Sequence, residues 1–429
     1  MNSLLRIPYT AAGTIASALA RVVPPGDSKF KRGLSARRDI VTRYQAWART
    51  SRSSGRPLVW FHAPSVGEGL QAAPVIELVR TRLPQVQIAY TFYSPSAEQF
   101  AKSLHADFVD YLPFDTYRDA RAIVDALQPS VLVFSKLDVW PALTESAARA
   151  GVRVGVISAT LPETSGRRGF IARSFLADAY SSLSRVGAID EKDAELLREQ
   201  GVRPNRVGVT GDTRYDQVRA RARKDPSPLV ESLRSARPSL VAGSTWPTDE
   251  EHLLAAWVRI REKIPDARLI IAPHELSDAH LASVANWTAS SRLSLSRLDS
   301  PSASTADVVL VDRYGVLGDL YALADVAYVG GGFHSAGLHS VLEPAAFGAP
   351  VLFGPRIKKS RDAQRLQSVG GGAVVTGAID LGIRLSDWLG AAASREAAGI
   401  AAREMVERGC GAAERSFELV RALLNPPAP

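Results

Sequence analysis

The chain has 429 residues, more than one hydrophobic core usually supports, which points to two domains of roughly 200 residues each. With 46% hydrophobic and 22% charged residues it is neither disordered nor fibrous, and its single cysteine, Cys410, excludes an intramolecular disulfide framework and a cysteine-rich zinc module. A net charge of +8 implies an anionic partner without choosing among nucleic acid, anionic lipid and a phosphorylated substrate.

The excess charge is partly local. Residues 1–52 carry ten Lys and Arg against two Asp, among them Lys29, Lys31, Arg32, Arg37 and Arg38. Ahead of them, residues 7–20 are uncharged and mildly apolar, bracketed by Arg6 and Arg21. The stretch is shorter than the ~20 residues that cross a bilayer, and Ser, Thr and Gly dilute it too far for a signal peptide. Residues 1–40 are therefore expected to lie on a membrane surface, where apolar burial and anionic headgroups act together. The alternative is a helix that covers the first domain.

From residue 58 onward, short apolar runs alternate with longer amphipathic stretches, the pattern of β-α units on a parallel sheet. The first half predicts strands at 58–62, 86–91, 108–112, 131–134, 152–157 and 186–189, with helices at 69–82, 97–104, 116–127 and 143–150. A charged stretch and then Asp225-Pro226-Ser227-Pro228 read as an interdomain connection, giving an N-terminal domain over 41–222 and a linker over 223–238. Strands resume at 239–243, 268–272, 308–311, 326–329, 350–353 and 373–375, and a helix over 396–424 closes a second domain, 239–429. The fold class expected is α/β, two doubly wound Rossmann-like domains facing a cleft, with ligands at the carboxyl ends of the strands.

The unusual clusters follow predicted strands. The run at 326–329 leads into Gly330-Gly331-Gly332, then Phe333-His334-Ser335-Ala336-Gly337-Leu338-His339-Ser340, and a helix opening at Val341-Leu342-Glu343-Pro344. Such glycines let backbone N–H groups approach a phosphate, with the helix start adding its positive end, and Glu343 is placed to accept from ribose hydroxyls. Gly243-Ser244-Thr245-Trp246-Pro247 precedes an acidic helix start with Thr248 as its expected N-cap. Pro273-His274 follows another strand, and Gly315-Val316-Leu317 sits in a loop before an apolar helix. In the first half, His62-Ala63-Pro64-Ser65-Val66-Gly67-Glu68 runs from strand through loop to helix. There the helix dipole keeps Glu68 deprotonated, either ready to act as a base or as a capping or salt-bridged glutamate.

Together these segments, from about 61 to 372, resemble the 3-deoxy-D-manno-oct-2-ulosonic acid (Kdo) transferases of lipopolysaccharide synthesis. His62 to Glu68 is similar to that family's HAxSVGE signature, Gly243-Ser244-Thr245 to its GST segment, and Gly330 through Glu343-Pro344 to its glycine loop ending in Glu-Pro. Tyr111-Leu112-Pro113-Phe114-Asp115 and Trp140-Pro141 also match recurrent segments. The resemblance implies a GT-B fold, CMP-Kdo as donor substrate with no cofactor and no metal, and lipid IVA as acceptor. It also implies attachment to the cytoplasmic face of the inner membrane and inversion with Glu68 as general base. Cytidylate contacts carry over to Pro273, His274, Gly315, Val316, Leu317, Ser340, Val341, Leu342 and Glu343, and the donor phosphate to Gly243, Ser244, Thr245, Gly330, Gly331 and Gly332.

The chain departs from the family pattern in three segments. Pro273 leads directly to His274 where an arginine is common, Ser340 replaces an asparagine, and Lys136 and Asp138 stand where two glutamates are usual. Arg356, Lys358, Lys359 and Arg361 supply positive charge nearby in sequence. A sugar-nucleotide 2-epimerase or another GT-B glycosyltransferase of the cell envelope is the alternative enzyme; the epimerase would need no lipid acceptor. A nucleic-acid partner is disfavoured, because no basic stripe is interleaved with aromatics.

Overall fold

A computed structural model describes residues 3–136, 139–161 and 170–425. Contacts divide the chain into two units, Met1–Gln217 together with Cys410–Pro429, and Val218–Gly409.

The first unit is built on β1 (Leu58–His62), β2 (Gln87–Phe92), β3 (Phe108–Tyr111), β4 (Val131–Ser135), β5 (Arg153–Ala159), β6 (Arg185–Ala188) and β7 (Val207–Val209), in the order β3-β2-β1-β4-β5-β6-β7. All pairings are parallel. Strands β1, β2 and β4 are buried along their whole length, which is why they read as continuous apolar runs. Strand order reverses between β1 and β4, opening a crevice at the carboxyl ends of those two strands.

The second unit repeats the plan with β8 (Ser239–Thr245), β9 (Arg268–Pro273), β10 (Leu295–Arg297), β11 (Val308–Leu310), β12 (Val326–Val329), β13 (Val351–Phe353) and β14 (Gly372–Val374), in the order β10-β11-β9-β8-β12-β13-β14. Its pairings are parallel too. Here the reversal lies between β8 and β12. Both units are doubly wound α/β structures, as expected from the alternation.

The domain assignment of the C-terminus is corrected. The expected helix over 396–424 is two helices, Ala392–Gly409 and Ala412–Leu424, separated at Cys410-Gly411, where Gly411 has φ 91°. Asp216 accepts the N–H groups of Gly411 at 2.7 Å and Ala413 at 3.0 Å. The last helix then inserts Phe417, Val420 and Leu423 into the core of the first unit. A Cβ added to Gly155 of β5 would stand 2.6 Å from Leu423, so the strand is bare where this helix lies on it. The unit boundary falls inside the helix Thr213–Ala222 rather than at 223, and Ser227 caps a short helix, Pro228–Ser232, within the expected linker.

Residues 7–20 lie on the helix Ser3–Val22. Tyr9 donates to Asp115 at 2.6 Å and Arg38 donates to the Ala20 carbonyl at 2.9 Å, tying this helix to the first unit. Its other face leaves Ile7, Ile15, Leu19 and Val22 exposed, with Phe30 following. Arg37 of the basic cluster is interior: it donates to the carbonyls of Gly33, Tyr93 and Leu112 and stacks over the Tyr93 ring. No helix among the described residues is long and apolar enough to cross a membrane.

Candidate active site

Five segments of the second unit meet at its switch point. β8 is hydrogen-bonded to both β9 and β12, so Gly243-Ser244-Thr245, Pro273-His274 and Gly330-Gly331-Gly332 leave the sheet side by side. His274 N–H donates to the Thr245 carbonyl at 2.8 Å, and Gly330 N–H to the Gly243 carbonyl at 2.9 Å. A Cβ on Gly243 would overlap the Tyr321 hydroxyl and come 2.8 Å from Leu317, which brings in the Gly315-Val316-Leu317 loop. Ser340, Val341, Leu342 and Glu343 close the group, with His339 contacting the His274 ring at 4.4 Å between centroids.

The glycine loop works differently from the sequence expectation. Gly330 N–H is spent on Gly243, and Gly331 N–H on the Asp249 carboxylate at 2.7 Å. These two amides therefore hold the loop rather than a phosphate. The glycines are required by close approach: a Cβ on Gly330 would overlap the Ser244 carbonyl, and one on Gly332 the backbone of Gly354. The helix that follows, Leu342–Phe347, has only six residues, which limits its dipole.

Asp249 organises this loop. Fully buried, it accepts from Trp246 N–H (3.0 Å), Gly331 N–H (2.7 Å), Phe333 N–H (3.2 Å) and the Tyr328 hydroxyl (3.1 Å). Four donors compensate a buried carboxylate that would otherwise be costly. Asp249 is the third residue of the helix Pro247–Lys263, whose N-cap is Trp246 and not Thr248. Its neighbour Glu250 accepts from Thr245 at 2.7 Å and pairs with His280 at 3.0 Å. In the sequence Asp249 is one of several acids at a helix start; the signal that sets it apart is its spacing of three from Trp246, that of a side chain reaching back to a capping backbone N–H.

Glu343 pairs with Arg221 at 3.2 Å. Burial raises its carboxyl above the usual carboxylate range, with Arg221 opposing and Asp319 adding to the rise.

In the first unit, Glu68 lies in the first turn of the helix Val66–Arg82, which follows β1. The Ser65 hydroxyl donates to one carboxylate oxygen and Lys136, just past β4, sits 3.3 Å from the other. Ser135 donates to the Glu68 carbonyl at 2.8 Å, so residues from both strands flanking the switch point fix this turn. The Glu68 side chain is 18% exposed, enough to be reached by a ligand. His62, by contrast, is sealed: Nδ1 contacts Thr91 at 2.9 Å, and burial pushes its pKa down to about 3, so the ring is neutral. Asp115 accepts from Ala142 N–H at 2.9 Å and Leu143 N–H at 2.8 Å, capping the helix that begins at Pro141. The Tyr111 to Asp115 and Trp140-Pro141 segments thus meet as one structural joint. Asp138 lies outside the described residues.

Residues 38–217 match the family described as 3-deoxy-D-manno-octulosonic-acid transferase (kdotransferase). A 3-deoxy-D-manno-octulosonic acid transferase of Chlamydophila psittaci is 30% identical over 325 residues, 74% of each chain. The chain belongs to this family. The transferase of Haemophilus influenzae is 26% identical over 378 residues, 86% of this chain and 87% of that one. Among solved structures, the UDP-GlcNAc 2-epimerase of Neisseria meningitidis bound to UDP-GlcNAc superposes with a TM-score of 0.60 at 12% identity, over 86% of this chain and 99% of that one. A glycosyltransferase of Rickettsia africae gives 0.56 at 11% identity, over 87% and 100%. These two show the fold, which is of GT-B type. This Kdo transferase family member is accordingly a glycosyltransferase.

Within this transferase, Ser340 is exposed at the end of the glycine loop, and Lys136 engages Glu68 directly. The substitution of Lys136 for the usual glutamate therefore places a cation beside the candidate base.

Proposed function

We propose that the chain transfers Kdo from CMP-Kdo to lipid IVA, with inversion at the anomeric carbon, Glu68 as general base and no metal or cofactor. The observation that carries this reading is the setting of Glu68: an accessible carboxylate at the switch point of its sheet, oriented by Ser65 and Lys136. The glucosamine 6-hydroxyl oxygen attacks the anomeric carbon as its proton passes to Glu68. The bond from that carbon to the phosphate oxygen breaks, and its electron pair leaves with CMP.

The second unit binds the donor in this reading. Pro273, His274, Gly315 to Leu317 and Ser340 to Glu343 surround the cytidylate, with Glu343 turning from Arg221 to the ribose hydroxyls. Gly243, Ser244 and Thr245 line the phosphate side. Gly330, Gly331 and Gly332 contribute by shaping that wall. The exposed Ile7, Ile15 and Val22 face, next to Lys29, Lys31 and Arg32, supports a place on the cytoplasmic face of the inner membrane. The epimerase alternative has only a shared fold in its favour.

The test is incubation with CMP-Kdo and lipid IVA in the presence of EDTA, followed by mass spectrometry of the lipid. A Kdo-bearing product is expected. Its absence with and without EDTA overturns the reaction, and its absence with EDTA alone overturns metal independence.

A further inference from the structure

Trp246 and three histidines form one ring cluster at the donor end of the second unit. The indole stacks on His334 at 3.9 Å with 9° between planes, and on His274 at 4.5 Å with 27°. Its Nε1 lies 3.2 Å from Nε2 of His339. An indole nitrogen only donates, so Nε2 of His339 must offer its lone pair. The ring of His339 then carries its proton on Nδ1.

Two further observations give this tautomer a use. Burial, with His274 and His334 adding to it, lowers the pKa of His339, and Asp249 opposes them; the ring is neutral near pH 7. Its Nδ1 has no hydrogen-bond partner among the described residues, yet is not sealed from solvent. The Asp249 carboxylate ties down the Trp246 N–H and the loop at Gly331 and Phe333, so both rings spring from anchored backbone. Glu250, next on the Trp246 helix, is occupied by Thr245 and His280.

We propose that Trp246 is a positioning residue that fixes His339 as the Nδ1–H tautomer, presenting a neutral donor to a phosphate oxygen of the bound cytidylate. This rests on the second unit being the CMP-Kdo site. A donor whose tautomer is preset needs no reorganisation as negative charge builds on the departing phosphate.

The experiment is long-range ¹H–¹⁵N correlation spectroscopy of the full chain labelled at histidine, with His339 assigned by the loss of its signals in His339→Gln. At pH 7, Nε2 is expected in the unprotonated range and Nδ1 in the protonated range. Adding CMP should shift Nδ1, while cytidine, which lacks the phosphate, should not. Trp246→Phe keeps a ring and removes the donor: the Nε2–H form should appear, and CMP affinity should fall about tenfold while cytidine affinity stays. A wild-type His339 protonated on Nε2 overturns the assignment without any variant. Bound CMP that leaves Nδ1 unmoved overturns the phosphate role alone. If CMP does not bind at all, the donor-site reading falls and the phosphate role with it, whatever the tautomer.

Discussion

Glu68 and Glu343 both occupy the first turn of a helix, and their surroundings separate their work. Glu68 is held by Lys136 and by the Ser65 hydroxyl, whereas Glu343 is engaged by Arg221 with Asp319 nearby and its carboxyl is raised by desolvation. Glu68→Gln should therefore keep CMP binding and lose transfer by about 10²-fold or more; near-normal turnover would refute the base assignment. Glu343→Ala should weaken CMP binding in calorimetry, and an unchanged affinity would remove its role. Two buried groups of the first unit set opposing pH dependences. Burial pushes Asp115 up to about 6 from an ordinary 3.8, so between those values the folded chain keeps a proton the unfolded chain has lost, and stability falls as pH rises. His62, pushed down to about 3 from 6.5, lacks a proton the unfolded chain binds, so its part rises with pH across the same window. The two slopes cancel. Denaturant midpoints between pH 4 and 6 should rise in Asp115→Asn relative to wild type, on the order of 2 kcal/mol over the window, and fall in His62→Gln.

Elements were legible where the physics is repetitive. Apolar runs located twelve of the fourteen strands among the described residues, because parallel strands covered on both faces must be apolar throughout. β7 and β10 escaped: each has three residues and lies at or next to an open sheet edge, where half-exposed side chains dilute the pattern. The site segments were legible because each follows a strand, and the switch points bring them together. What could not be read was the use of the glycine amides, since Asp249 takes them across more than eighty residues of sequence. The return of the helix Ala412–Leu424 to the first unit was hidden too, because an amphipathic stripe does not say which core it covers. That helix gives a sharp test. Phe417→Ala should cost about 3 kcal/mol or more, seen as a lower unfolding midpoint of the first unit, while the second unit still binds CMP. Loss of CMP binding alongside the stability would show the two units to be energetically inseparable.

At the scale of the whole molecule, the proposed membrane contact combines a net charge of +8 with an exposed apolar helix face. Replacing Ile7 and Ile15 with Asp should reduce co-sedimentation with vesicles containing anionic lipid and leave the unfolding midpoint unchanged, because both side chains already face solvent. Salt should weaken the wild-type association without abolishing it, since only the electrostatic part is screened; equal binding by the variant would remove this face from the contact. The break at Gly411 has a consequence for synthesis. All of Val218–Gly409 is synthesised before Phe417, Val420 and Leu423. The half that carries Glu68 must wait with part of its core uncovered while Val218–Gly409 is made. The earlier-encoded unit is thus completed only by the last helix of the chain, after the whole of the other unit has been made.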